Sequence, residues 1–389
     1  MTRDIRLLAL ALFTWGLGEG MFIYIQSLYL RELGADPQTI GGVLAAAALA
    51  AGLAHIPAGM LADRFGRKPL LLAGWVVALV SGAVMFVARD LALFVPALVA
   101  YNFTTFIVAP LYAYAAAARG TQSVQRAISF TSASFWAGTI ISPAIGGLIA
   151  DLTELRMVFG AATVVFVIST AVLALIRPQP REAPPSGQSR YGGLLRNRRF
   201  LGFLALMFVA MFAMQVGLPF MPNFAAEVRG LNVGLVSLLG SANSLGTVGF
   251  NLYFGQRLPR RAFMLAQGLM AASLALLLVA GGYWLFLAYF LRAGWYLAHN
   301  MSAAQVGRVV TPAETGLAFG ITETVAAAAT VLGPLLAGVL YERAPALPFQ
   351  VSLGLIALTL PLVWRFAPRR DAHTPEPPPE AVLEPRIGD

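Results

Sequence analysis

The chain contains no cysteine among its 389 residues. A disulfide framework, a thiolate nucleophile and a cysteine metal site are all excluded. Histidine is nearly as scarce: His55, His299 and His373 are scattered, with no spacing that suits a metal ion. No metal or cofactor is expected. Charge is the third deficit. Asp, Glu, Lys and Arg make up 12% of residues, about half the ~25% of soluble domains. A soluble protein of this length could not cover its surface with so little charge, so lipid is the solvent for much of it. Catalytic signatures are missing as well. There is no Ser-His-Asp order, phosphate loop, nucleotide motif or metal cluster, which argues against an enzyme and against ATP-driven pumping.

What is present is apolar. Hydrophobic residues make up 58% and the mean hydropathy is +0.73. The formal charge of +9 does not indicate a nucleic-acid partner, because the basic residues sit in short interruptions between apolar runs. A membrane span needs about 20 mostly apolar residues. Twelve runs qualify, at roughly 6–30, 39–61, 69–88, 91–117, 127–150, 155–176, 200–225, 232–254, 262–281, 284–307, 316–340 and 346–366. The first is followed by no small-residue cleavage site and reads as a retained helix. The predicted fold class is an all-α membrane protein of twelve transmembrane helices.

The stretch 177–199 is rich in proline and polar residues, and reads as a cytoplasmic linker. It divides the chain into an N-terminal six-helix bundle, 1–176, and a C-terminal one, 200–366. The tail 367–389 carries six prolines among acidic residues; it has too little apolar surface to fold and is expected to be disordered. With the N-terminus inside, 21 of the 27 Lys and Arg fall in cytoplasmic segments. Five fall outside (Arg31, Arg89, Arg156, Arg229, Arg343), and Arg292 lies within a span. That bias predicts a multi-pass cell-membrane protein with both termini cytoplasmic.

The halves repeat. Span 5 ends in Ser142-Pro143-Ala-Ile-Gly146-Gly147, span 11 in Gly333-Pro334-Leu-Leu-Ala-Gly338. The prolines lie 191 residues apart, and the same offset relates Tyr101 to Arg292. Nearer the start of each half the offset is 196, relating Gly59 to Gly255 and Glu19 to Gln215. A parallel repeat of this kind places a two-fold axis along the membrane normal, with a binding site near the midplane between the halves. One central chamber is expected, with Glu19 and Arg292 in its wall.

The loop after span 2 reads Gly59-Met-Leu-Ala-Asp63-Arg64-Phe-Gly66-Arg67-Lys68. It resembles the signature of the major facilitator superfamily between helices 2 and 3. The resemblance extends over essentially the whole spanning region. It implies a secondary transporter of two pseudo-symmetric bundles, with Gly59, Asp63, Arg64, Gly66, Arg67 and Lys68 as a gating motif that latches the halves in one state. The counterpart loop, Gly255-Gln-Arg257-Leu-Pro-Arg260-Arg261, lacks the acid. Span 5 is similar to the motif associated with the superfamily's antiporters through Gly138, Pro143, Gly146 and Gly147, departing at Ser142 where glycine is usual. Helix packing alone also explains those small residues. The likeness is to twelve-span members that exchange drugs for protons. The arginine that many proton-coupled members carry in span 4 is absent, and Arg292 stands at the repeat-related place.

An ionisable group at the centre of a membrane helix costs about 2.5–3.5 kcal/mol on insertion scales. Glu19 lies about 20 Å into the membrane, counted from Arg6, and is the leading candidate proton carrier. Glu323, His299 and Arg292 are the other proton-coupling candidates, with His299 and Glu323 expected to pair. His55 is expected to pack in the gate. Candidate substrate-binding residues are Tyr24, Gln26, Tyr101, Asn102, Gln215, Asn223, Tyr289, Trp295 and Asn300. Their mostly aromatic and apolar character suits an amphipathic solute.

These features predict a proton-coupled exporter of a small amphipathic molecule, working by alternating access. A symporter or facilitator for a sugar or organic anion is the second reading, and a non-transporting membrane sensor or scaffold the third. The expected partners are a small-molecule substrate, protons and the lipid bilayer, with the chain as a monomer and no nucleic acid.

Overall fold

The computed structural model describes residues 1–179, 197–254, 262–306, 310 and 315–366. Sixteen α-helices and one 3-10 turn occur among them, and no strand. The first half holds α1 (Arg3–Phe22), α2 (Gln26–Glu32), α3 (Pro37–Phe65), α4 (Arg67–Val87), α5 (Leu91–Phe103), α6 (Val108–Ala118), α7 (Val124–Leu152) and α8 (Leu155–Ala174). The second holds α9 (Arg198–Gln215), α10 (Met221–Glu227), α11 (Val233–Phe254) and α12 (Ala262–Val279). It continues with α13 (Trp284–Arg292), α14 (Gly294–Val306), α15 (Thr315–Arg343) and α16 (Leu347–Phe366).

Among the described residues, ten segments are long and apolar enough to cross a membrane. The remaining two spans are α12, whose apolar stretch Phe263–Val279 is slightly shorter, and α13 with α14. Twelve spans result, with edges within a few residues of those predicted. Most of the linker and the whole tail, 367–389, lie outside the described residues.

Four spans are broken, which the apolar runs do not reveal. Span 1 breaks between α1 and α2, and span 7 between α9 and α10. Span 4 breaks at the 3-10 turn Thr104–Ile107, and span 10 at Ala293 between α13 and α14. These pairs are repeat-equivalent. Non-helical backbone at membrane depth is tolerated only where protein buries it or a cavity receives it, so the breaks mark where cavities should be sought.

Local chemistry sets the helix ends. Thr2 caps α1, its hydroxyl accepting from Ile5 N at 3.3 Å, and also donates to Ala118 O at 2.6 Å, tying span 1 to the end of span 4. Asp90 caps α5 by accepting from Leu93 N at 2.9 Å. Gly66, at φ +86°, is the single residue between α3 and α4. Only glycine takes that backbone without strain, so the turn of the signature loop depends on it.

Packing follows the repeat. Span 1 lies on spans 5 and 6; across the halves, span 2 packs on span 11 and span 5 on span 8. Span 5 supplies small residues on both sides. A Cβ on Gly138 would stand 2.7 Å from Leu17 N, one on Gly146 2.8 Å from Met21 Cα, and one on Gly147 2.9 Å from Gly234 Cα. The first two face span 1 and the third faces span 8. Ser142 donates to Gly16 O at 3.2 Å, and Ser237 of span 8 donates to Pro143 O at 2.7 Å. Its repeat partner is built alike, with Gly41 of span 2 against Pro334 O and Gly338 against Pro37 and Gln38. With no hydrophobic drive between helices in lipid, such backbone proximity and these hydrogen bonds hold the bundle.

Candidate functional site

Where a single chamber is expected, the described residues enclose two separate cavities. The first, about 300 Å³, lies within the N-terminal half among spans 1, 3, 4 and 5. Leu12, Trp15, Glu19, Trp75, Tyr101, Asn102, Phe135 and Trp136 are in its wall. Glu19 is four residues beyond Trp15, one helical turn on the same face. Its carboxylate accepts from Trp15 Nε1 at 2.9 Å. The Trp15 ring is fixed edge-on against Trp75 at 4.4 Å, and Trp75 Nε1 donates to Ser169 Oγ at 2.8 Å. Ser169 in turn donates to Ala11 O at 2.7 Å, so spans 1, 3 and 6 brace one another around the acid. Tyr101 also faces the carboxyl, though its hydroxyl has no partner at hydrogen-bond geometry. No Lys, Arg or His is in this wall among the described residues.

The second cavity, about 230 Å³, lies between the halves among spans 1, 2, 7, 10 and 11. It is lined by Tyr24, Gln26, Gln215, Arg292, Trp295 and Tyr296, with Pro219, Pro222 and Pro334 among the apolar residues. Arg292 is the last residue of α13, at the break of span 10. Its guanidinium carbon is 5.7 Å from the Tyr24 ring centroid and 5.8 Å from that of Tyr289. Tyr24 is itself pinned across the interface. Its hydroxyl accepts from Asn243 Nδ2 at 2.9 Å and shares a 3.0 Å hydrogen bond with Ser244 Oγ.

The two cavities are therefore repeat-related in their polar centres, Glu19 with Tyr101 in one and Gln215 with Arg292 in the other. Between them stands an aromatic pair from opposite halves: Trp136, in the first wall, and Tyr296, in the second, meet edge to face at 5.7 Å.

Other expected residues fall elsewhere. Asn223 is fully buried and donates to Ser27 O at 3.4 Å, while Tyr289 is fully buried behind Arg292; neither is in the wall of these two cavities. Asn300 is exposed and donates to Asn251 Oδ1 at 2.7 Å. These three were expected to touch substrate; the breaks in spans 7 and 10 turn the first two into packing, and the third lies a further turn and a half along α14. His299 Nε2 and Glu323 Oε2 are paired at 3.4 Å as expected, with His299 stacked on Trp295 at 5.5 Å. His55 lies within electrostatic reach of Glu323. In the signature loop the side chains of Gly59 and Asp63 lie outside the described residues. Arg64 rests over Phe65; Arg67 donates to Gln179 Oε1 at 3.1 Å and Lys68 to Ala174 O at 2.9 Å, both at the end of span 6.

The end of the bundle opposite Met1 is laced across the halves. Asp151 accepts from Gly234 N at 2.9 Å and Asn232 Nδ2 at 3.1 Å. Arg31 Nε lies 3.4 Å from Glu227 Oε1, and Gln38 donates to Glu342.

Sequence reasoning missed Trp15, Trp136, Tyr296 and Asp151. The first and third had a signal, since each stands four residues from a charged residue of the candidate site, Glu19 and Arg292. Nothing local marks Trp136 or Asp151, whose partners come from the other half.

The family model of the Major Facilitator Superfamily matches residues 8–256 and 208–387. The chain belongs to this superfamily of membrane transporters. Among relatives, it is 21% identical to the quinolone resistance protein NorA of Staphylococcus aureus (strain Mu50 / ATCC 700699), over 91% of this chain and 94% of that one. It is 24% identical to multidrug resistance protein 1 of Bacillus subtilis (strain 168), over 93% and 96%. Among solved structures, the nucleoside transporter NupG superposes with a TM-score of 0.76 at 15% identity, over 94% of this chain and 98% of that one. A bacterial homologue of the human lysosomal transporter Spinster, in an inward-facing and occupied conformation, gives 0.69 at 13% identity, over 93% and 95%. These structural likenesses establish the fold.

Proposed function

We propose that this superfamily member is a proton-coupled exporter of small amphipathic molecules, with both termini in the cytoplasm. The carrying observation is the position of Glu19, an acid at membrane depth in a cavity with no basic residue in its described wall. An acid so placed takes a proton when its cavity is dry and yields it when the opposite state admits water. The drug-resistance relatives support export, and the basic-residue bias supports the orientation. On that orientation the laced end is extracellular, and the state described is closed to the outside. The divisions 1–176, 177–199, 200–366 and 367–389 serve as two rocking bundles, a linker and a tail, and the signature loop with Asp63 serves as the cytoplasmic latch.

The test is Glu19→Gln in proteoliposomes. Transport driven by a pH gradient is expected to fall at least tenfold, with equilibrium binding of the transported dye unchanged. Full gradient-driven transport by the variant at every pH would refute the role of Glu19. A second reading, a carrier of organic anions, is favoured by one specific observation, the two Arg292 nitrogens, Nε and Nη1, that have no hydrogen-bond partner.

A further inference from the structure

We propose that the Arg292 cavity is an anion-recognising subsite, and that the solute it takes is a compact aromatic carboxylate. The proposal deepens the transporter reading by naming the solute class; binding itself does not depend on which way the solute is carried.

Three N–H donors on residues of this wall have no partner. Arg292 Nε, Arg292 Nη1 and Trp295 Nε1 are all buried and unbonded, and both residues are in the wall. A buried donor left without an acceptor is destabilising, the more so when charged. Native structures satisfy such groups, so three at one place call for a ligand that accepts. No Asp or Glu lines the cavity among the described residues. The Tyr24 and Tyr289 rings face Arg292; they hold the cation in place but offer no lone pair in the plane of the guanidinium fork. A carboxylate meets the requirements of the three donors: it carries a single negative charge and two oxygens, and it fits the planar donor fork.

The remaining wall specifies the rest of the solute. Tyr24, Trp295 and Tyr296 contribute ring surfaces, and Pro219, Pro222 and Pro334 contribute apolar edges. Flat aromatic bodies stack on such walls. The cavity, about 230 Å³, is below the ~300–1,000 Å³ of pockets for drug-sized ligands, so the body is compact. Gln26 and Gln215 add neutral polar groups that can contact a ring substituent without competing for the charge.

The experiment uses the full chain in nanodiscs and three probes of matched shape: 2-naphthoate, 2-naphthamide and 2-naphthylmethylammonium. Binding is read by tryptophan quenching and by thermal stabilisation. Naphthoate is expected to bind at least tenfold tighter than the amide, with the ammonium not binding, because a charged acceptor makes the stronger hydrogen bond to a guanidinium. Arg292→Gln should remove the preference for naphthoate over the amide. Trp295→Phe keeps the ring and loses one donor, so it should weaken naphthoate severalfold even if the arginine variant does not fold. Equal binding of the three probes to the wild type would overturn the proposal, as would unchanged naphthoate binding in both variants. Chloride alone giving the same stabilisation as naphthoate would overturn its aromatic part. A proteoliposome flux assay separates this from the transporter reading. Selective naphthoate binding with no flux of any probe sinks transport and leaves the subsite. Flux of a cationic dye with no naphthoate preference sinks the subsite and leaves transport.

Discussion

Trp136 of span 5 and Tyr296 of span 10 meet edge to face at 5.7 Å, each in the wall of a different cavity. The contact crosses from one half of the molecule to the other and separates the acid of the first cavity from the cation of the second. Tyr296 lies within electrostatic reach of both Glu19 and Arg292, so the ring pair links the surroundings of the proposed proton site and the proposed solute site.

Removing that partition should uncouple the two. Trp136→Ala opens a void where the indole stood and joins the cavities. The expected result is a proton leak: acidification of liposomes without any solute, severalfold above wild type. Tyr296→Phe keeps the ring contact, worth about 0.5–1.5 kcal/mol beyond burial, and should leave the leak at the wild-type level. Tight coupling retained by Trp136→Ala would show that the aromatic pair does not separate the sites.

The small residues of span 5 give a second, purely structural prediction. Gly146→Ala puts a methyl 2.8 Å from Met21 Cα, a backbone atom that cannot swing away. Overpacking of this kind costs about 1–3 kcal/mol, so the unfolding temperature in detergent should fall by several degrees. Gly42→Ala is the matched control, since a Cβ there meets nothing within 4 Å. Equal melting of the two variants would mean that spans 1 and 5 can part without cost.

The twelve spans were legible because lipid demands about 20 apolar residues at each crossing, and the repeat was legible because its prolines and glycines sit at fixed offsets. The partition of the chamber was not. Glu19 and Tyr24 lie on one apolar run and suggest one cavity. Five residues at about 100° each turn them some 140° apart on a helix, and the span breaks just before Tyr24, so the two side chains serve different cavities. No proline or glycine lies in Ile23–Ile25 to announce that break. The offsets held the clue in another form: Glu19 pairs with Gln215 and Tyr101 with Arg292, which are the polar centres of the separate cavities. Trp136 was invisible because its partner is 160 residues away and no local pattern encodes a contact between halves.

Asp36 provides a test in pH. Its carboxylate accepts from Thr39 N at 2.7 Å at the start of α3, and this bond, above all, lowers its pKa below the ordinary value of 3.8. A lowered pKa in the folded state stabilises the protein above the ordinary value, and the contribution is lost as pH falls through the folded one. Asp36→Ala should therefore melt earlier than wild type at pH 7. The gap should close on acidification below the ordinary carboxylate range. A gap of the same size at low pH would assign the effect to helix propensity rather than to the charged cap.

The lacing opposite Met1 makes the last prediction, and the absence of cysteine makes it clean to measure. Asp151 at the end of α7 accepts from Gly234 N in the first turn of α11. A negative charge at a helix N-terminus contributes about 0.3–1 kcal/mol at an exposed site. The bond exists only while the halves are closed at this end, so its energy belongs to one state of the transport cycle and biases the equilibrium between states. Asp151→Asn retains the shape and removes the charge. A loss of about 1 kcal/mol shifts the ratio of closed to open molecules roughly fivefold. Spin labels at Thr153→Cys and Val228→Cys, both exposed positions on opposite halves, would read that ratio by distance measurement without any native thiol to remove. Asp151→Asn should move population from the short to the long distance, and the Arg31–Glu227 pair at the same end limits the shift to a partial one. A distance distribution identical to that of the doubly labelled parent would show that closure of this end is held by the packing of spans 2 on 11 and 5 on 8, with Asp151 merely riding on it.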